Sequence, residues 1–179
     1  MASDKPVTCE YTILIDSGEQ YPFHFTGIRA DSNKNGRPIE APTQRRYLGP
    51  SMGDYSLEVS GTSFVGHVSV ERKSQEDAYG TFIGWGERRE RFERELASLA
   101  SMEAAAVVVE CSLGHLIQWA PEWGKKTAAQ NAKSLHRTII SWQTTWRIPW
   151  FFCDSRRLAE ITTFRFLDRF YRKAIKGEK

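Results

Sequence analysis

Polar and apolar residues alternate along Tyr55-Ser56-Leu57-Glu58-Val59 and again along His67-Val68-Ser69-Val70. A period of two marks a strand with two unlike faces, and the Gly- and Ser-containing residues 60–66 between the runs supply a hairpin turn. Earlier, Tyr11-Thr12-Ile13-Leu14-Ile15 is a short apolar run ending at Asp16, which predicts a buried strand. Ala104-Ala105-Ala106-Val107-Val108-Val109 has no polar position before Glu110 and predicts a strand covered on both faces. Trp150-Phe151-Phe152-Cys153 predicts the last strand.

Elsewhere the spacing stretches to that of a helix. Ser74 can cap a short helix over residues 75–79, followed by a flexible loop over 80–86. Phe92, Leu96, Leu99 and Ala100 mark the inward face of a helix over residues 87–102. Its other faces alternate in charge, the usual pattern of a solvated helix. Ala128, Ala132, Leu135, Ile139, Trp142 and Trp146 recur at steps of four and three and form the core stripe of a second helix, ended by Pro149. Ser155 caps a third, running to about residue 173, with Leu158, Ile161, Phe164, Leu167 and Tyr171 inward. Residues 26–50 hold no period and carry strong turn signals, which reads as an insertion. Strands alternating with helices predict one α/β domain of three layers with several central parallel strands, spanning residues 1–179.

Composition narrows the class. Of 179 residues, 40% are hydrophobic, with ten Phe and six Trp, enough for a packed core. No apolar run reaches the length of a membrane span, and the N-terminus lacks the apolar stretch of a signal peptide. Cys9, Cys111 and Cys153 are odd in number and lack zinc spacing, which fits free thiols in a reducing cytoplasm. The net charge of +3 hides an asymmetry: residues 1–122 carry 12 Lys and Arg against 18 Asp and Glu, whereas residues 123–179 carry 13 against 4. Such a basic region is the footprint of a phosphate-backbone binder, a solvated helix surface being the competing account. Lys125, Lys126 and Lys133 lie off the core stripe and are its candidate contacts.

The hairpin carries the candidate chemistry. Side chains two apart on a strand share a face, about 6.6–6.8 Å apart, so Glu71 and Lys73 project together and Arg72 faces away. Paired strands lie about 4.8 Å apart, which brings Asp54 beside Glu71. Two carboxylates and a lysine suit a magnesium-dependent phosphodiesterase, because Mg2+ needs only one or two carboxylates beside water and a substrate phosphate. A lysine there orients the attacking water or offsets developing charge. The competing reading is a solvated strand face.

Gly53-Asp54-Tyr55 followed by Glu71-Arg72-Lys73-Ser74-Gln75-Glu76-Asp77 resembles the G-D-Y … E-R-K-x-x-x-D signature of the XPF-type structure-specific DNA nucleases, a branch of the restriction-endonuclease-like fold. The resemblance covers residues 12–171. It implies a restriction-endonuclease-like three-layer domain with a central mixed sheet, and a Mg2+-dependent endonuclease (Mn2+ substituting) acting on branched or structured DNA. In those terms Asp54, Glu71 and the Arg72 carbonyl ligate metal, Lys73 is catalytic, and Asp77 supports the site. Asp16-Ser17-Gly18-Glu19 resembles the family's D-x-R-E element, which makes Asp16 a catalytic and Glu19 a supporting carboxylate. Gly18 replaces the family arginine, so that contact must come from elsewhere. A turn in which Asp16 bonds its own backbone is the alternative. Arg88 and Arg91 match a basic element beside the family's cleft. Arg45 and Arg46, in the insertion, are further candidates for DNA contact, an exposed loop pair being the alternative.

Many members of that family append a tandem helix-hairpin-helix module; none is expected here, because the sequence ends too soon after residue 171 to hold one. A stand-alone nuclease domain of phage-like or prophage-like type is the expectation, located in the cytoplasm of a bacterial or infected cell. A homodimer or a protein partner would supplement its hold on DNA. Rival readings are an inactive DNA-binding subunit, a restriction-like or exonucleolytic enzyme of the same fold, and a protein-interaction domain.

Overall fold

The computed structural model describes residues 5–30, 36–84, 86–119 and 127–178. Four strands come first: β1 (Val7–Thr8), β2 (Thr12–Asp16), β3 (Ile39–Glu40) and β4 (Thr43–Arg46). β2 buries Ile13, Leu14 and Ile15, as an unbroken apolar run requires. β4 reads Thr-Gln-Arg-Arg, without an apolar residue, yet it lies parallel to β2 with Ile13 opposite Thr43 and Asp16 opposite Arg46. An edge strand needs main-chain partners on one side only and tolerates charge, so period-based reading passes over it. The stretch 26–50 is therefore partly sheet: besides β4, a bridge joins Arg29 to Pro38 and β3 pairs with β1. Residues 31–35 of that stretch lie outside the described residues.

The predicted hairpin follows as β5 (Tyr55–Val59), β6 (Thr62–Ser63) and β7 (Val68–Lys73). β5 runs antiparallel to both β2 and β7, and Tyr55 faces Val70 across the pair. Next are α1 (Gln75–Ile83) and α2 (Glu87–Ala100). Ser74 caps α1 by accepting the Asp77 N–H, as expected, but the helix runs through Gly80 to Ile83, where a loop was predicted. Burial of Phe82 against Phe92, Trp142 and Trp150 outweighs the roughly 1 kcal/mol that a helical glycine costs. In α2, Phe92, Leu96 and Leu99 are buried, whereas Ala100 is exposed.

The chain continues through β8 (Ala104–Val109), α3 (Leu113–Gln118), α4 (Ala128–Trp146), β9 (Trp150–Phe152) and α5 (Arg156–Phe170), which ends in a π-turn over Tyr171–Ile175. α3 was not foreseen: six residues are too few to show a period. In α5 Phe164 and Leu167 are buried, and Tyr171 follows them inward, but Leu158 is 44% exposed.

The main sheet has the order β4-β2-β5-β7-β8-β9, with β7, β8 and β9 parallel. β8 alternates between two cores: Ala106 and Val108 join α5 and the N-terminal strands, while Ala105, Val107 and Val109 join α1, α2, α3 and α4. This is an α/β three-layer domain with a central mixed sheet. Cys111 and Cys153 are buried, Cys9 is half-buried, and all three are free thiols. Among the described residues no helix is long and apolar enough to cross a membrane.

Candidate active site

The C-terminal end of β7, the start of β5 and the loop after β2 meet at one end of the sheet and enclose a cleft of about 730 Å3. Gly53 makes the approach feasible. Its φ is +74°, and a Cβ there would collide with Ser69 Oγ on β7, so only glycine lets the chain turn this close. Asp54 then donates its N–H to the Val70 carbonyl (3.0 Å) and accepts the Arg72 N–H at Oδ2 (2.7 Å). A strand residue's N–H and C=O leave by the same edge, so the Arg72 carbonyl also faces the Asp54 side. Tyr55 is fully buried; its hydroxyl accepts the Phe23 N–H (2.9 Å) and its ring stacks on Phe23 at 5.3 Å, which pins the loop after β2 to the sheet.

Glu71 and Lys73 share one face of β7, as the period of two requires. Lys73 Nζ lies 2.5 Å from Glu71 Oε1 and 4.6 Å from the centre of the Phe92 ring. Glu71 Oε2 is buried and accepts no hydrogen bond from an amide, amine or hydroxyl; the neighbour bonded to the Glu71 carboxylate besides Lys73 is the Glu95 carboxyl. Arg72 points the other way. Its Nε donates to Glu110 (2.7 Å) and its Nη1 to both oxygens of Glu19 (3.1 and 3.2 Å). Arg156 closes the far side by donating to Glu110 (2.5 Å) and to the carbonyls of Tyr21 and Pro22. Burial works against the charge on Arg72, but Glu110 and Glu19 outweigh it and raise its pKa. The Glu19 loop is held from two strands: Arg72 bonds the Glu19 carboxylate, and Arg45 donates to the carbonyls of Ser17 and Glu19.

The cleft is electrostatically loaded. Burial, then the Glu71 charge, raises the Asp54 carboxyl well above the usual carboxylate range. Burial opposes the ammonium of Lys73, yet Glu71, Glu95 and Asp54 together raise its pKa, so it is a cation and not a base at neutral pH. Glu95, on α2, is pushed up to about 8 by burial and by Glu71. Reading α2 as a solvated charged surface missed this residue. The signal was its position: 95 is three residues after Phe92 and four before Leu99, inside the apolar stripe.

The remaining predicted residues divide. Glu19 is buried and lines the cleft, as do Asp77 and Arg91. Arg88 pairs with Asp77 and lies over Gly80, whose missing side chain leaves the room. Asp16 is not in the cleft lining. Its Oδ1 accepts the Gly18 N–H (2.7 Å) and its Oδ2 the Leu48 N–H (2.9 Å), which closes the turn and ties it to the segment after β4. The geometry assigns it the backbone-bonding alternative. Arg45 is taken up by the Glu19 loop, and Arg46 by Glu58 (3.1 Å) and Ser63 (2.7 Å), so neither is a loop arginine free to swing. Lys133 is exposed and lines a separate shallow hollow of about 510 Å3 with Arg89 and Arg137. Lys125 and Lys126 lie outside the described residues.

Among the described residues no three His, Cys, Asp or Glu side chains form a metal cage. Asp54, Glu71 and the Arg72 carbonyl nonetheless fit a hard divalent ion that keeps several waters, and Glu71 Oε2, which accepts from no amide, amine or hydroxyl, is an oxygen such an ion would satisfy.

No family model matches the chain, and no curated protein matches it by sequence. Solved structures do. An XPF from Aeropyrum pernix superposes with a TM-score of 0.57 at 15% identity, over 93% of this chain and 68% of that one. XPF from Aeropyrum pernix in complex with DNA gives a TM-score of 0.54 at 16% identity, over 91% of this chain and 66% of that one. This chain thus spans about two thirds of their length. At such identity the likeness is one of fold, the restriction-endonuclease-like three-layer domain.

Proposed function

We propose that this chain is a divalent-metal-dependent DNA endonuclease acting on branched or otherwise structured DNA. The observation that carries the reading is the convergence of Asp54, Glu71 and Lys73 in one cleft, where the carboxylates of Asp54 and Glu71 crowd each other. Two crowded carboxylates, one with its pKa raised, are costly in a bare protein and are what a cation would relieve. The fold shared with an XPF solved on DNA supports the same class.

Asp54, Glu71 and the Arg72 carbonyl would hold Mg2+ or Mn2+. Held there, the ion would supply Lewis-acid polarisation of the phosphodiester and activation of a water near neutral pH. Lys73, a fixed cation, donates a hydrogen bond to the attacking water or to a phosphate oxygen as charge builds there. Arg72 contributes no side chain to the chemistry. Its N–H orients Asp54, and its guanidinium locks β7 to the Glu19 loop and to Glu110. Arg91 on the cleft wall, with the Lys133 hollow beyond, offers positive charge to the backbone.

The test is incubation with Mg2+ and a panel of linear, flap, fork and four-way DNAs. Cleavage is expected on the branched substrates, abolished by EDTA and not supported by Ca2+, whose looser geometry binds without turnover. Cleavage that persists in EDTA refutes the assignment.

A further inference from the structure

Glu95 sits against both members of the Glu71–Lys73 pair, hydrogen-bonded to the first and 4.0 Å from the second. α2 turns Phe92 and Glu95 toward β7, and both flank the Lys73 ammonium: the Phe92 ring at 4.6 Å and Glu95 Oε2 at 4.0 Å. Lys73 is itself buried, 9% exposed, and its bonded partner is Glu71 at 2.5 Å. Among the described residues, Glu71 and Glu95 are its only ion-pair partners, and Lys73 is the only cation within ion-pair distance of Glu95.

This arrangement contains a conflict. On the reading of the preceding subsection, Glu71 must face a divalent cation during the reaction. A carboxylate engaged by that cation is a poor partner for an ammonium, and the two positive charges repel. Before a phosphate arrives, Lys73 would then be a buried charge that has lost its bonded carboxylate, which is unfavourable. Its side chain has little room to retreat, because Phe92 packs beneath it, the strand fixes its base and only 11% of it is exposed. Glu95, one short step away, removes the conflict.

We propose that Glu95 is a positioning residue that takes over the Lys73 ammonium when Glu71 engages the metal. The handover keeps Lys73 charged and aimed into the cleft. Glu95 touches neither metal nor DNA in this role; it acts through Lys73. The inference rests on the nuclease reading and deepens it.

The experiment compares the full chain with Glu95→Gln, Glu95→Asp, Lys73→Ala and the Lys73→Ala/Glu95→Gln double variant. Glu95→Gln keeps shape and removes charge, so it is expected to fold and to keep the parent's thermal shift on adding Mn2+. Its kcat on DNA should fall by about 10–100-fold with KM nearly unchanged, the scale expected when a catalytic group is misplaced by about 1 Å. Glu95→Asp should restore part of that loss. The double variant should be no slower than Lys73→Ala, because a residue acting only through Lys73 has nothing left to act on. Reductive methylation of Lys73, read by mass spectrometry in Ca2+, should be about 10-fold faster in Glu95→Gln than in the parent. Loss of the Mn2+ shift in Glu95→Gln would make Glu95 a ligand and overturn the proposal. So would additive kinetic effects in the double variant, or equal labelling of Lys73. Failure of the underlying reading looks different: the parent itself shows neither cleavage nor a Mn2+ shift, and the proposal falls with it.

Discussion

Glu95→Gln should alter how the stability of the metal-free protein depends on pH, and the structure sets the size of the effect. The Glu95 carboxyl titrates near 8 in the fold, against 4.5 for an ordinary glutamate, because it is buried beside Glu71. As pH rises past 4.5, the unfolded chain releases this proton first, and the native state keeps it until about 8. The unfolded state therefore gains ground throughout that interval. The contribution of Glu95 is most favourable below pH 4.5, erodes up to about pH 8 and is level above it. A displacement of about 3.5 units at 1.36 kcal/mol each is about 5 kcal/mol in all, of which about 4 kcal/mol falls between pH 5 and pH 9. The Glu95 side chain is 22% exposed, so solvent screening leaves most of this intact. Glutamine does not titrate. Urea unfolding of the parent and of Glu95→Gln, in EDTA at intervals from pH 5 to pH 9, reads the difference, which includes the response of Glu71 and Lys73 to the loss of Glu95. The parent should lose up to about 4 kcal/mol relative to the variant across that range. Parallel curves, or a variant that loses more than the parent, would refute the placement of Glu95 beside Glu71.

Three further outcomes follow from the same geometry. Asp54→Asn and Glu71→Gln should both lose cleavage; Asp54→Asn should melt at or above the parent in EDTA, whereas Glu71→Gln should melt below it because it takes the bonded carboxylate from Lys73. Only the parent should gain with Mn2+, by about 2.7 kcal/mol at one hundred times its dissociation constant. If both variants still cut DNA, the cleft is not the site. Gly53→Ala should cost more than about 1 kcal/mol in urea unfolding, because its φ of +74° and its contact with Ser69 Oγ leave no room for a Cβ, and Ser69→Ala should recover only the part due to the contact. Arg72→Met should destabilise by about 3–5 kcal/mol by stranding the buried carboxylate of Glu19, Glu110 keeping Arg156; a loss below about 1 kcal/mol would mean the network is solvated.

Local pattern was enough for the elements that build the sheet centre and for the heart of the site. β8 reads as a doubly covered strand because each of its positions is apolar, and two cores do cover it. Glu71 and Lys73 had to share a face because strand geometry permits nothing else, and Asp54 had to lie near them once the hairpin closed. These relations span few residues and follow from the period of the backbone itself.

What the sequence left open depended on partners far along the chain. β4 carries no apolar signal and is a strand only because β2 offers it a main-chain edge. Residues 80–83 are helical because Phe82 finds aromatic neighbours on α2, α4 and β9, a contact no local window contains. Asp16 and Glu19 look alike by spacing, yet a neighbouring N–H from Leu48 draws the first into a turn while Arg72 holds the second at the cleft. Glu95 is one charge among many on α2 until packing turns it toward β7, where burial changes its acidity and brings it to Lys73. Periodicity fixes which way a side chain leaves its own element; what it meets there is decided by the packing of the others.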